Sequence, residues 1–171
     1  MTLHTPAPPT VLELPETPCV TMRRTVTMRS MGEIADRIPE VLGWLTRRGI
    51  APAGPPFLRY ELIEMDKQLV VEAGWPVAEA VAGDGTDDGV RAGVLPGGRY
   101  VSLVHRGHPD QLIHVIKALL VWARERGLEW DMTPTSEGER WGCRLESYRT
   151  DPREEPDPSS WETELLFRLA R

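Results

Sequence analysis

The stretches Trp44-Leu-Thr-Arg-Arg-Gly49 and Trp122-Ala-Arg-Glu-Arg-Gly127 share the pattern Trp-x-x-x-x-Gly, and this repeat decides the expected fold. Each stretch ends a segment whose apolar residues recur at helical spacing, and glycine commonly follows the last residue of a helix. We therefore predict two helices at matching positions of an internally duplicated chain.

Strand-like segments surround both predicted helices in the same order. TPCVTMRRTVTM precedes the first helix, and FLRYELIEMD and QLVVEAGWPVAEAV follow it. VRAGVLPGGRYVSLVHRG precedes the second helix, and RWGCRLESYRT and WETELLFRLA follow it. The order strand–helix–strand–strand thus occurs twice, over residues 17–85 and 86–171. It predicts an α+β fold with a mainly antiparallel sheet and a central ligand groove between the two modules.

Two proline-containing segments refine these boundaries. Residues 1–16 carry four of the sixteen prolines in a short polar stretch, which predicts a disordered tail. Pro39 falls inside the first helical pattern. It either kinks that helix or marks the start of its main part, since proline is tolerated in the first turn.

Length and hydropathy bound the class of protein. The chain has 171 residues, of which 40% are hydrophobic and 27% charged, as expected for a globular domain. It contains no run of about 18 apolar residues, and MTLHTPAPPT lacks the basic and apolar regions of a secretory signal. We predict no membrane partner and a cytoplasmic location. Cys19 and Cys143 are expected to be two buried thiols, although their pairing stays open.

Charge and motifs exclude several functions. A net charge of -6 argues against nucleic acid as a partner, because phosphates require basic surfaces. The four histidines and two cysteines lack metal-ligand spacing, so no metal or other cofactor is predicted. Neither a Gly-x-Ser-x-Gly elbow nor a phosphate-binding glycine loop occurs.

Tryptophans and one strand carry the remaining signal. Six tryptophans accompany only three tyrosines and two phenylalanines, and together they could wall a pocket for an aromatic ligand. In RWGCRLESYRT, read as one strand, alternation puts Arg144, Glu146 and Tyr148 on one face and Trp141 and Leu145 on the other. That polar face either meets solvent or lines a cavity, where a carboxylate beside an aromatic ring would recognise a ligand.

Several stretches in one order resemble the GyrI-like small-molecule-binding domain, which is also the effector-binding part of multidrug regulators of the MerR and AraC types. They are VEAGWPV (71–77), LPGGRY (95–100), HRG (105–107), the helix ending at Gly127, ESY (146–148) and TELLFRL (163–169). The resemblance covers residues 17–171 and implies two strand–helix–strand–strand modules around a groove. The chain departs from it in having no DNA-binding domain and no proline in the last strand.

The resemblance implies that Glu146 points into the groove and meets flat, amphipathic, cationic ligands, with Tyr148 beside it. The candidate ligand-binding residues are Glu146, Tyr148, Trp75, Trp141, Tyr60, His105 and Glu164. Three functions stay open. The chain binds such molecules, as in multidrug or toxin sequestration, or it hydrolyses cyclopropane rings of genotoxic natural products with Glu146 and Tyr148 as catalytic residues. The third, weaker hypothesis is a module that contacts gyrase.

Overall fold

The structure, a computed structural model, describes residues 8–64, 66–81 and 89–171. They contain three α-helices and ten strands. The elements are β1 (Thr10–Leu14), β2 (Thr17–Val26), α1 (Met31–Ala35), α2 (Arg37–Arg47), β3 (Phe57–Glu64), β4 (Gln68–Pro76), β5 (Arg91–Leu95), β6 (Gly98–Arg106), α3 (Leu112–Glu125), β7 (Met132–Thr135), β8 (Gly138–Trp141), β9 (Arg144–Tyr148) and β10 (Glu162–Arg168).

The sheet confirms the duplicated α+β architecture. Its order is β1-β6-β10-β9-β3-β4-β2-β5, and every pairing in it is antiparallel. In the first module the order from the centre outward is β3-β4-β2, and in the second it is β9-β10-β6. The two modules therefore meet at the β3–β9 pair, which is the centre of the sheet. The predicted boundary at residues 85 and 86 lies outside the described residues.

The predicted disordered tail is wrong for its second half. Thr10–Leu14 form strand β1, which pairs with β6 of the second module, just as β5 pairs with β2 of the first. Two-residue linkers then join β1 to β2 and β5 to β6, so the sheet curls until these linkers meet. A Cβ at Gly97 would lie 2.9 Å from the Glu16 nitrogen, which only glycine avoids. Residues 1–7 lie outside the described part.

The helices follow the sequence pattern closely. Asp36 separates α1 from α2, and Pro39 is the third residue of α2, in the first turn, where a missing N–H costs no hydrogen bond. Gly49 and Gly127 have φ values of 69° and 67° just beyond α2 and α3, which is the left-handed conformation that ends a helix. The two Trp-x-x-x-x-Gly stretches are thus equivalent helix ends.

The sheet has two unlike faces. On the helix face, α2 packs over β2 and β4 while α3 packs over β6, and the largest apolar cluster includes Leu58, Leu165 and Phe167. On the inner face, toward which the sheet curls, a smaller cluster contains Tyr100 and Cys143. The central strands lie between the parts of the sheet that the two helices cover.

The segment read as one strand is broken at Gly142. Trp141 ends β8, which forms a hairpin with β7, and Arg144 begins β9. The break reverses the expected alternation, because Trp141 now packs on the helix face against Phe167, with ring centroids 5.6 Å apart. A Cβ at Gly142 would overlap the Asp131 carboxylate, so glycine is required at this break.

Candidate functional site

Glu146 lies at the middle of the sheet on the helix face. Strand register places it directly between Leu58 of β3 and Leu165 of β10. Alternation puts Arg144 and Tyr148 on the same face, one position to either side, as the sequence predicts. The central strand β9 therefore brings these three side chains to the junction of the two modules.

The next row across the sheet contains three of the predicted site residues. Tyr148 is opposite Thr163, and Thr163 is opposite His105 at the far side of the second module. On the other side, the backbone N–H of Tyr148 donates to the Pro56 carbonyl at 2.9 Å. Phe57 of β3 is opposite Gly74 of β4, so Pro56, one residue earlier, lies beside Trp75. With strands about 4.8 Å apart, this row from Trp75 to His105 is about 19 Å wide.

Glu146 is a buried carboxylate held by phenols. It is 8% exposed, and the Tyr148 hydroxyl donates to its Oε2 at 2.8 Å. Tyr60 also donates a side-chain hydrogen bond to the carboxylate. Burial raises the pKa of Glu146, and the two phenols and the charge of Arg144 only partly oppose this rise. The group is therefore poised to take a proton or to meet a cation.

The two tyrosines act as hydrogen-bond donors over a wide pH range. Burial and the adjacent carboxylate raise the pKa of Tyr60 and of Tyr148 well above the usual value of a phenol. A phenol that keeps its proton can stabilise an anion beside it. Tyr60, Glu146 and Tyr148 thus form one cluster, which we call the Glu146 cluster.

The predicted tryptophans have different positions. Trp75 is half-buried on the helix face, and its indole N–H donates to the Ile38 carbonyl of α2 at 2.8 Å. Trp141 is 5% exposed and packs between Trp130 and Phe167. Trp75 therefore lies on the helix face beside α2, whereas Trp141 belongs to a buried aromatic cluster with Trp130 and Phe167.

His105 and Glu164 complete the predicted set. His105 is half-buried at the end of the Tyr148 row, with Nε2 3.4 Å from the His108 carbonyl oxygen. Glu164 pairs with Ser147 and therefore points to the inner face, away from the Glu146 cluster. There it accepts a 2.6 Å hydrogen bond from the Ser102 hydroxyl and a 2.9 Å bond from Arg149. The prediction that Glu164 lies with Glu146 is wrong.

Arg144 is the site residue that the candidate set lacks. Its guanidinium Cζ lies 4.7 Å from the Trp141 ring centroid and 4.5 Å from that of Phe167. Burial lowers its pKa, and the charges of Glu146, Tyr60 and Glu139 oppose that shift. The alternation of RLESY already placed Arg144 beside Glu146, so the signal was present in the sequence.

Other sites in the described residues are less developed. No group of three or more His, Cys, Asp and Glu side chains there is arranged to hold a metal ion, and the absence of a cofactor stays a prediction. A cavity of about 510 Å³ lies beside the end of α2, and the lining residues are 48–51 and 78–81. It includes no member of the Glu146 cluster.

The fold and the site together define a class of small α+β ligand-binding domains built from two modules around a polar centre. A family model for the GyrI-like small molecule binding domain matches residues 7–170, and the chain belongs to this family. None of the curated protein sequences matches it. Across the described residues, no helix has both the length and the hydropathy of a membrane span.

Solved structures share this fold. The EcmrR C-terminal domain superposes with a TM-score of 0.71 at 18% identity, over 96% of this chain and 98% of that one. In the EcmrR–DNA complex the corresponding values are 0.72 and 20%, over 96% of this chain, but this chain spans only 57% of the EcmrR chain.

Two further neighbours have informative descriptions. SAV2435 bound to tetraphenylphosphonium has a TM-score of 0.59 at 10% identity, over 96% of this chain and 94% of that one. A hydrolase from Listeria innocua has a TM-score of 0.60 at 15% identity, over 95% and 91%. Since a neighbour is a DNA complex, the absence of nucleic-acid binding by this chain stays a prediction.

Proposed function

We propose that this chain binds flat, hydrophobic, often cationic molecules in the groove around the Glu146 cluster. The observation that carries the proposal is a carboxylate 8% exposed at the centre of the sheet, held by phenol hydroxyls. Within the described residues it forms no salt bridge. A buried carboxylate whose charge Arg144 compensates only in part is costly, and a bound cation would add to that compensation.

The energetics favour such a ligand over water. A cation about 4 Å from the carboxylate gains about 4 kcal/mol at an effective dielectric of ~20. A desolvated cation over an aromatic face gains roughly 2 kcal/mol more, and Trp75 offers such a face beside α2. Neither contact demands a fixed pattern of donors, so one site can accept several ligands, as sequestration of drugs or toxins in the cytoplasm requires.

The walls of the groove are apolar and adjustable. Half-buried side chains of the helices pack onto the central cluster, among them Met31 of α1, Ile38 of α2 and Ile116 of α3. They belong to three different helices, so each can shift without breaking the strand pairing of the sheet, and the unbranched Met31 adapts most easily. The ligand of the neighbour SAV2435, tetraphenylphosphonium, has the charge and aromatic surface that this groove would suit.

Titration with tetraphenylphosphonium, followed by quenching of tryptophan fluorescence, tests the proposal. Glu146→Gln keeps the shape but removes the charge, and we expect it to weaken binding at least tenfold. Glu164→Gln is the matched control, because Glu164 lies on the next strand but on the opposite face. Equal affinities of the wild type and Glu146→Gln would overturn the role of Glu146, and no binding by the wild type would overturn the cationic ligand class.

A second candidate function is the hydrolysis of strained cyclopropane rings in genotoxic natural products. The 2.8 Å contact between Tyr148 and Glu146 favours it, because a buried carboxyl group with a raised pKa is suited to activate water. Water would add its oxygen to one ring carbon as the strained C–C bond breaks. Its proton would pass to the oxygen or carbon that takes the electron pair.

Mass spectrometry distinguishes the two functions. After incubation with such a compound, hydrolysis predicts a product heavier by one water, formed by the wild type and lost in both Glu146→Gln and Tyr148→Phe. Tight binding of an unaltered compound would support sequestration alone.

A further inference from the structure

Arg144 lies on the same face of β9 as Glu146 but has a different set of contacts. The two residues are separated by one residue on β9, so their Cα atoms are about 6.6 Å apart on the same face. No salt bridge joins them, since the described ion pairs involve other residues. Arg144 therefore interacts with Glu146 through space and keeps its own donors.

The guanidinium is held in place by aromatic rings. Its Cζ lies 4.7 Å from the ring centroid of Trp141 and 4.5 Å from that of Phe167. These two rings and Trp130 pack with centroids 5.6–5.8 Å apart, so the surface under the guanidinium is a rigid aromatic cluster. The cation is thus oriented before any ligand arrives.

The donors of Arg144 have no acceptor among the residues described in the structure. Arg59, which is opposite the half-buried Glu72, donates to the carbonyls of Val94 and Gly142, but no such bond is present for Arg144. The described side-chain nitrogens that are fully buried and without a partner belong to Arg37, Trp44 and Arg59, and those of Arg144 are not among them. A guanidinium has five N–H donors, and its planar edge matches a carboxylate or a carbonyl.

We propose that Arg144 is a specificity-determining residue that binds an anionic or hydrogen-bond-accepting group on a flat aromatic ligand. This inference rests on the proposed function, since it assigns a second contact in the same groove. The preferred ligand then carries a carboxylate, phenolate or carbonyl at one end, with its rings or a cationic group extending toward Glu146. A site with both charges is nearly neutral, so a positive charge on the ligand is not required for binding.

A matched pair of probes tests this assignment. 9-Anthracenecarboxylate and 9-(aminomethyl)anthracene share one flat ring system and differ in the sign of the head group. We expect the wild type to bind both. Arg144→Met, which keeps the long apolar stem on the rings, should weaken the carboxylate probe at least tenfold and tighten the ammonium probe. Glu146→Gln should have the opposite effect on both probes.

Controls separate a specific contact from a general loss of charge or fold. Arg140→Met changes an exposed arginine on the neighbouring hairpin and should leave both affinities unchanged. Arg144→Lys keeps the charge but not the planar fork, and we expect it to recover part of the carboxylate affinity. Circular dichroism and thermal melting verify that each variant is folded.

The outcomes distinguish this inference from the proposed function. If the ammonium probe binds and depends on Glu146, but the carboxylate probe does not bind or is insensitive to Arg144→Met, the Arg144 assignment is wrong and the proposed function stands. If neither probe binds the wild type, both are wrong.

Discussion

Two arginine–glutamate arrangements lie on opposite faces of the central strands, and their contacts differ. On the inner face, Arg59 is opposite Glu72 and donates to the carbonyls of Val94 at 3.2 Å and Gly142 at 2.8 Å. On the helix face, Arg144 stacks on aromatic rings and donates to no described residue. The hydrogen bonds of Arg59 connect separate segments of the chain, whereas the N–H donors of Arg144 remain available.

The carboxylates differ in the same way. Glu61 and Glu72 share a hydrogen bond on the inner face, and the Arg23 Nε lies 3.0 Å from Glu61. Glu146 has phenol donors but forms no salt bridge within the described residues, and the charge of Arg144 acts on it only through space. A charged group that the protein pairs by itself has a structural role, whereas a buried one without a salt bridge is a candidate for pairing with a ligand. The following predictions test that distinction.

The largest expected effect is on stability. Arg59→Met removes two hydrogen bonds from a charged donor and leaves Glu72 with Arg23 as its remaining nearby cation, so we expect a loss of about 2–3 kcal/mol in the free energy of unfolding. At this chain length the melting temperature should fall by about 5–10 °C. Arg144→Met loses no such bond and should change the melting temperature by less than about 2 °C. Thermal denaturation of the two variants side by side makes the comparison, and equal losses would contradict it.

The inner pair should also make stability depend on pH. Burial, together with the hydrogen bond and charge of Glu72, raises the pKa of Glu61 to about 7 from 4.5. For a carboxyl group whose pKa is raised on folding, the stabilisation is complete below pH 4.5 and is lost as pH rises through about 7.

Glu61→Gln checks this window. Glutamine can donate to Glu72 as the protonated acid does, but it does not ionise. We expect it to remove about 1–2 kcal/mol of the stability loss that the wild type shows between pH 5 and pH 8. Melting curves across that range give the result, and parallel pH profiles of variant and wild type would refute the assigned pKa. Glu72 does not interfere, because its lowered pKa places its own titration below this range.

A third prediction concerns the stability cost of the binding site. The pKa of Glu146 is raised, so this residue too destabilises the fold increasingly as pH rises. Glu146→Gln should therefore gain stability relative to the wild type at higher pH, by about 1 kcal/mol, while it loses affinity for cations. Melting temperatures at pH 5 and pH 8 measure the change, and a difference independent of pH would count against a buried, titrating Glu146.

Much of this fold could be predicted because its signals are local. Helical spacing and glycine ends define α2 and α3, and the duplicated order of elements predicts the two modules. Strand β1 could not be found this way. Its residues Val11 and Leu12 are exposed, and it is ordered by pairing with β6, a contact between distant parts of the chain.

The candidate site was predictable only where one strand was uninterrupted. Alternation along RLESY correctly placed Glu146 and Tyr148 on one face, but it failed for Trp141 because Gly142 breaks the strand. The predicted position of Glu164 was wrong for another reason. Within its own strand the alternation is regular, yet only the register of β10 against β9 decides which face it joins, and the sequence does not contain that register.

The smallest expected effect follows from that register. Glu164→Gln removes a charge that pairs with Arg149 and accepts from Ser102, on the face away from the Glu146 cluster. Because Arg149 is exposed, we expect a stability loss of about 0.5–1 kcal/mol. Affinity for tetraphenylphosphonium should change less than twofold. Paired melting and titration curves measure both effects. A tenfold loss of affinity with an unchanged melting temperature would place Glu164 beside the ligand and contradict the separation of the two faces. A residue that acts only on the inner face would instead lower the melting temperature and leave the affinity unchanged.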